Sequence, residues 1–352
     1  MFLRCLVRPL WRFHRLPQYR LRYITTQAKP PFPFPTIPTC PSPTCACAEM
    51  PAMPAGLPID RSKSLNETMA PYAQQVLICT GKDDWLSKIE DENSGDNLAA
   101  DIKELIGRGG IYSDPYHGVV ITNGSFPSSV TSRTTVQTTS AYLFPSFKYV
   151  PFLPRVSFQS VQALVKGYLL PKKLHPMHDG LSPIHRDRLL REEDQRRLLY
   201  GVQDIKDIMV LICGHGGRDM RCGILGPVLR EGFEMQLEKE KMHVWTSPVQ
   251  VGDGTERARI EDKEQAIGPA ARVGLISHIG GHKFAGNVIL YIPPGMQTAD
   301  GQPHDFAGCG IWYGRVEPKH VEGIIRETVL GGKVILELFR GGIRQGGEIL
   351  RL

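Results

Sequence analysis

No apolar run in this 352-residue chain reaches the roughly 18 residues that a membrane-spanning helix needs, so no transmembrane segment is expected. A Cys-x-x-Cys pair is also absent, which removes the usual dithiol of a thiol-redox enzyme. Neither a GxxxxGKS/T phosphate loop, a nucleophile triad nor a paired-carboxylate site stands out. Nucleotide hydrolysis, acyl transfer and glycoside hydrolysis therefore lack their customary residues. Acidic residues are missing from the first 48 positions, where Arg4, Arg8, Arg12, Arg15, Arg20, Arg22 and Lys29 stand alone. Removing these seven from the 42 basic residues leaves 35 against 36 acidic ones, so the net charge of +6 belongs to the leader. A basic body for nucleic acid is excluded on that distribution.

The leader itself, residues 1–30, is Arg-rich, free of acid and interleaved with Leu, Phe, Trp and Tyr. That composition predicts a mitochondrial presequence, although Pro9 and Pro17 interrupt the helix it should form. Import is all that such a segment implies; it does not choose between matrix and intermembrane space. Residues 31–72 are rich in proline and carry Cys40, Cys45 and Cys47, and we read them as an extended arm rather than a metal loop.

Strand and helix signals begin at QQVLIC and define an α/β domain over residues 73–170. Its elements are the strand at Val76, a helical region interrupted near Ser94 and Gly95, the strand HGVVITNGSF, and one extended segment, TTVQTTSAYLFPSFKYVP. A helix follows, with Ser157 as cap and Phe158, Val161, Leu164 and Val165 on one face. Residues 171–200 read as a charged connector with solvated histidines at 175, 178 and 185.

A second α/β domain covers residues 201–340. MVLIC, RVGLIS, NVILYIPP, CGIWYGRV and KVILELF are its strands. A helix after Cys222 has Pro227 in its first turn and Leu225, Val228, Leu229 and Leu237 on its buried side. A second helix is expected from Pro318 to Leu330, and a sheet of four such strands packed by the two helices is the thioredoxin-like arrangement. VLIC at Val76 and at Val210 suggests that the first domain is related to the second. The glycine-rich tail, 341–352, has no evident core to join.

Cys213 and Cys222 are separated by eight residues and His278 and His282 by three, each pair following a strand-like run. Two thiolates and two imidazoles are a ligand set for a zinc ion or a two-iron cluster. Zinc knuckles hold their cysteines across two to four residues. The wider loop here contains Gly214, Gly216 and Gly217, and Gly280 and Gly281 separate the histidines. Glycines let backbone amides approach bridging sulfides, so a [2Fe-2S] cluster fits this set better. His215 is read as an outer or structural contact and Cys309 as a small buried residue. Arg218, Arg221 and Lys283 either raise the potential, receive an acidic partner, or form a solvated face.

The motifs CGHGGRDMRCG, SHIGGHKFAGN and GIWYGRV, with ICTGKDDW and CPSPTCACAEMP, resemble the sucrase/ferredoxin-like family of thioredoxin-like ferredoxins. The resemblance covers most of the chain beyond the arm. It implies a mitochondrial [2Fe-2S] protein of electron transfer or redox homeostasis rather than an enzyme. Cys213, Cys222, His278 and His282 would be the ligands, with histidines standing where other family members carry a second cysteine pair. Redox donor and acceptor proteins and the iron-sulfur assembly machinery are the implied partners. A thiol-redox protein and a zinc-stabilised interaction module are the alternatives.

Replacing two thiolates by neutral imidazoles changes the charge of an oxidised site from about −2 to about 0, which eases the addition of an electron. The expected reduction potential is therefore in the range of two-histidine clusters, roughly −150 to +300 mV. A voltammetric value near the roughly −400 mV of plant-type ferredoxins would contradict that ligand set.

Overall fold

The computed structural model describes residues 32–44, 46–130, 137–155, 158–251 and 269–352. The expected presequence, Cys5, Cys45, the Ser157 cap and residues 252–268 lie outside them. Strand β1 (Thr36–Ile37) belongs to the arm and pairs in parallel with a short strand near the end of the chain. The arm is thus fixed to the body, with Phe34 buried against Phe306 and Phe339.

The first half follows with β2 (Gln74–Cys79), α1 (Leu98–Ile106), β3 (Val119–Gly124), β4 (Thr138–Phe144), β5 (Lys148–Pro154) and α2 (Phe158–Leu164). Asn97 starts α1 by accepting the Ala100 amide, and Leu98, Ile102 and Leu105 recur at helical spacing on its buried face. The extended segment expected around residue 145 is instead a hairpin, β4 and β5 pairing antiparallel across a turn at Pro145. Continuous apolarity hid the turn. In α2, Val161 and Leu164 are buried as expected, whereas Phe158 is exposed at the first position.

The connector holds α3 (Pro183–Leu189) and leads to β6 (Gln203–Asp204). His178 is not solvated: its ring is buried and meets the Asp114 carboxylate at 2.8 Å. His175 stacks on Tyr116, and His185 is exposed. A polar composition conceals such a contact because its partner is distant in sequence.

The second half comprises β7 (Ile208–Cys213), α4 (Met220–Lys239), β8 (His243–Val244), β9 (Ala270–Ile276), β10 (Val288–Ile292) and β11 (Cys309–Tyr313). A helix α5 begins at Val321–Gly323 and continues in wider turns over Ile324–Leu330. Then come β12 (Val334–Ile335), β13 (Phe339–Arg344) and β14 (Ile349–Leu350). Helix α4 starts earlier than expected and takes in Cys222, so Pro227 lies inside it; Phe233 joins Leu225, Leu229 and Leu237 on the buried face in place of Val228. The tail also differs from expectation. Ile343 and Leu350 are buried and both strands join the sheet, since the glycines there allow close packing against Gly310 and Met69.

The protein is therefore mixed α/β, built on a twelve-stranded sheet in the order β14-β13-β11-β10-β7-β9-β3-β2-β4-β5-β6, with β8 beside β9. One order of pairing occurs twice. In the first half β2 runs parallel to β3 and antiparallel to β4, which pairs with β5; in the second, β7 runs parallel to β9 and antiparallel to β10, which pairs with β11. The halves meet through the corresponding strand of each, β3 against β9 at Gly124 and Ile276.

Alternation along β2 divides the interior, as period two requires. Val76 and Ile78 pack under α1 and α2, whereas Leu77 and Cys79 join the larger core of the second half. The sheet curls until Phe144 of β4 stacks on Tyr291 of β10, ring centroids 3.7 Å apart. Beside that stack, the Tyr291 hydroxyl donates to Gln75 at 2.6 Å and lies 2.7 Å from the Tyr72 hydroxyl, which accepts from Trp312 at 3.0 Å. This buried network ties the arm and both halves together. Among the described residues, no helix is long and apolar enough to cross a membrane.

Tyr291→Phe keeps the ring stack but leaves the Gln75 carbonyl and the Tyr72 hydroxyl short of a partner. The expected loss is about 1–3 kcal/mol, read from the urea midpoint at unchanged slope.

Candidate metal centre

Cys213 is the last residue of β7 and is paired in register with Ile276, the last residue of its parallel neighbour β9. The two loops that carry the predicted donors therefore leave adjacent strand ends in the same direction. Residues at the carboxyl ends of parallel strands commonly build sites, because the strands are rigid and the loops can be shaped freely.

The first loop runs from Gly214 to Asp219, where the Asp219 side chain accepts the Arg221 amide and begins α4. Cys222 follows in the first turn, close to the positive end of the helix dipole. Helix and loop approach closely at Gly223: a Cβ there would stand 2.6 Å from the Gly216 Cα. The second loop turns through Gly280 and Gly281, both left-handed, and a Cβ on Gly281 would lie 2.5 Å from a guanidinium nitrogen of Arg340.

At this point Cys213 lies beside Cys222 and the His278 ring, and His278 lies beside His282. Cys213 and Cys222 are buried and free of any disulfide. The Cys222 thiol and the His278 ring hold Cys213 well below the ordinary thiol range despite its burial. Cys222 is correspondingly pushed up by the neighbouring sulfur and by burial. Of the two thiols, Cys213 is the one whose ionisation is favoured. His278 and His282 are half-buried, with His278 Nε2 3.5 Å from His282 Nδ1 and ring centroids 5.1 Å apart. Burial and the adjacent His278 lower the pKa of His282, which favours its neutral form. His278 Nδ1 is buried with no hydrogen-bond partner. Among the described residues, no set of three or more His, Cys, Asp or Glu side chains is gathered tightly enough to hold a single metal ion.

His215 is a brace. Its Nδ1 accepts the His278 amide at 3.0 Å, so the Nε2 proton points to the carbonyls of Trp85 and Leu86, at 3.1 and 2.9 Å. Both nitrogens are occupied, and the ring joins both donor loops to the first half. Cys309, at the start of β11, is buried as expected.

Several residues that position the centre escaped the sequence reading. Asp84 receives the Gly217 amide on both carboxylate oxygens, at 3.1 and 3.0 Å, and Asp83 pairs with Arg230 of α4 at 2.6 Å. Their motif, ICTGKDDW, counted toward the family resemblance, but without a role at the centre. Asn287 donates to the Gly281 carbonyl at 3.0 Å, while its backbone carbonyl receives the Cys213 amide at 2.9 Å. Arg340 lies beneath the second loop, with burial pushing it down to about 10 against the opposing pull of Cys213 and Cys222. No local pattern announced it.

The other cations are placed differently. Arg221 is engaged by both oxygens of Asp219, at 2.9 Å each, and reaches the Pro58 carbonyl. Arg218 is exposed and donates to Ser87, while Lys283 lies 3.9 Å from Asp60. An open cleft of about 600 Å³, lined in part by Lys88, Lys103, Tyr112 and Arg218, ends at His278.

Cys79 ends β2 as Cys213 ends β7, yet burial alone pushes its thiol up, since no second sulfur faces it. The donor set belongs to the second half only.

The sucrase/ferredoxin-like family model matches residues 65–341, so the chain belongs to that family. Three proteins called altered inheritance of mitochondria protein 32 are similar over nearly their whole length. The one from Debaryomyces hansenii is 29% identical over 305 residues, 85% of this chain and 93% of its own. That from Meyerozyma guilliermondii is 27% identical over 317 residues, covering 86% and 94%, and that from Clavispora lusitaniae 29% over 312, also covering 86% and 94%. No solved structure matches.

Gly223→Ala puts a methyl group against the Gly216 backbone, and the Cys213–Cys222 loop must give way. A loss of about 1–3 kcal/mol is expected, with hydrogen exchange at Gly216 and Gly217 accelerated beyond that of β10.

Proposed function

We propose that this member of the sucrase/ferredoxin-like family holds a [2Fe-2S] cluster through Cys213, Cys222, His278 and His282 and serves in electron transfer or redox homeostasis. The observation that carries the reading is the meeting of two buried, unbridged cysteines with a histidine whose buried Nδ1 has no partner. An orphaned buried acceptor is costly unless something fills the place beside it. The donors suit an iron-sulfur centre: a Cys213 thiol held below its ordinary range, a second thiol beside it, and a His282 ring whose neutral form is favoured.

A two-iron cluster takes two ligands per iron, whereas a structural zinc gathers four around one point. The grouping of the donors into pairs is thus in keeping with the cluster. Once bound, the group would accept and release one electron. The protein's own part is to hold the donors on rigid strand ends, to set the charge around them, and to keep the sulfurs away from water. Of the two histidines, His278 lines the open cleft and would form the natural exit for an electron.

In this reading the repeated strand order consists of two thioredoxin-like modules, the second of ferredoxin type and the first a brace supplying Asp84 and the Trp85 carbonyl. The name of the relatives refers to mitochondria, and with the basic leader it supports a mitochondrial location. Redox proteins and the iron-sulfur assembly machinery would be the partners. One observation favours a thiol-redox role instead, namely that Cys213 and Cys222 face each other directly. That role would belong to protein without metal.

Full-length protein purified without oxygen should contain two irons and two acid-labile sulfides per chain and no zinc, with Cys222→Ser abolishing both. One zinc without sulfide would assign the centre to a structural or interaction module. A Cys213–Cys222 disulfide in freshly isolated metal-free protein would assign it to thiol chemistry.

A further inference from the structure

Arg340 is 1% exposed and lies beneath the histidine loop. Its four hydrogen bonds all go to neutral acceptors. Nε donates to Thr68 Oγ1 at 3.0 Å, Nη2 to the Thr68 carbonyl at 2.9 Å, and Nη1 to Asn287 Oδ1 at 2.6 Å and the Gly280 carbonyl at 3.3 Å. Phe284 and Trp312 offer it their ring faces at 5.9 and 5.8 Å. Among the described residues it has no carboxylate partner, although buried guanidinium groups are ordinarily paired. The groups of the centre that interact with it electrostatically are Cys213 and Cys222.

The contrast with the neighbouring cations is decisive. Arg221 is cancelled by Asp219, while Arg218 is exposed and Lys283 half-exposed, so that solvent screens both. Arg340 alone among these combines burial with an uncancelled charge, and in a low-dielectric surround its field is transmitted with little loss. It also fixes the loop mechanically, since Gly280 and Asn287 are both its acceptors and Asn287 holds Gly281.

We propose that Arg340 is the positioning residue and fixed counter-charge that sets the electron affinity of the Cys213, Cys222, His278 and His282 centre. The inference rests on the cluster reading above. An added electron places one more negative charge at the centre, and a buried cation with no other anion stabilises that state more than the oxidised one. The electron comes from a reduced donor protein, and Arg340 neither gives nor takes a proton.

The test uses full-length protein, with iron and sulfide measured beside the midpoint potential in a mediator titration. Arg340→Gln should keep two irons and two sulfides while the reduced-to-oxidised ratio at a fixed potential falls at least tenfold, about 59 mV for one electron. Asn287→Asp sets a carboxylate against the guanidinium and should move the ratio the same way without removing Arg340. Arg340→Lys, which keeps the charge, and Arg218→Gln, which removes a screened one, should each change it less than threefold. Cluster-loaded Arg340→Gln or Asn287→Asp with the wild-type potential overturns the proposal. If Arg340→Gln fails to fold or load, Asn287→Asp decides; if both fail, a tenfold shift in Arg340→Lys overturns it. Wild-type protein devoid of iron and sulfide removes the cluster reading itself, a result distinct from a loaded centre whose potential does not move.

Discussion

Everything at the centre depends on the parallel pairing of β7 with β9, which sets Cys213 opposite Ile276. Because side chains alternate along strands, slipping this register by one residue would turn Cys213 to the other face of the sheet and displace the loop that begins at Ser277. The pairing is secured from both sides. β10 continues the sheet next to β7, and β3 of the first half caps the end of β9, where Ser277 donates its amide to the Asn123 carbonyl at 2.8 Å. The first half is therefore part of the centre's foundation even though it contributes no donor.

A second constraint is electrostatic. The Cys213 thiol is buried, and burial by itself opposes its ionisation. Compensation comes from the start of α4, from the proton shared with Cys222, from the His278 ring, and from Arg340 beneath the loop. Arg340 is supplied by β13 and Asn287 by the approach to β10, while Thr68 reaches in from the arm. Elements from three distant parts of the sequence thus converge under one loop of the centre.

This distribution explains what the sequence could reveal. The two candidate ligand pairs stand out in the sequence because each follows a short apolar run and is accompanied by glycines, signals contained within a dozen residues. MVLIC and VGLIS were readable as strands for the same reason. The hairpin at Pro145 was not, since apolar residues continue through it. Composition also misled in the tail, where glycines that suggest a loose end serve close packing against Met69 and Gly310. Arg340, Asp84 and His178 depend on partners far away in the chain, and no periodicity records such a contact. The repetition of VLIC hinted at the doubled strand order, but only the pairing itself displays it.

The central claim is that two histidine nitrogens and two cysteine sulfurs hold one two-iron cluster. Pulsed electron paramagnetic resonance of the reduced protein tests it most directly, because directly bound nitrogen couples strongly to the electron spin. The account predicts strongly coupled nitrogen in the wild type that is diminished in His278→Cys and in His282→Cys. A reduced cluster with no strongly coupled nitrogen, or one whose couplings survive both substitutions, would contradict it.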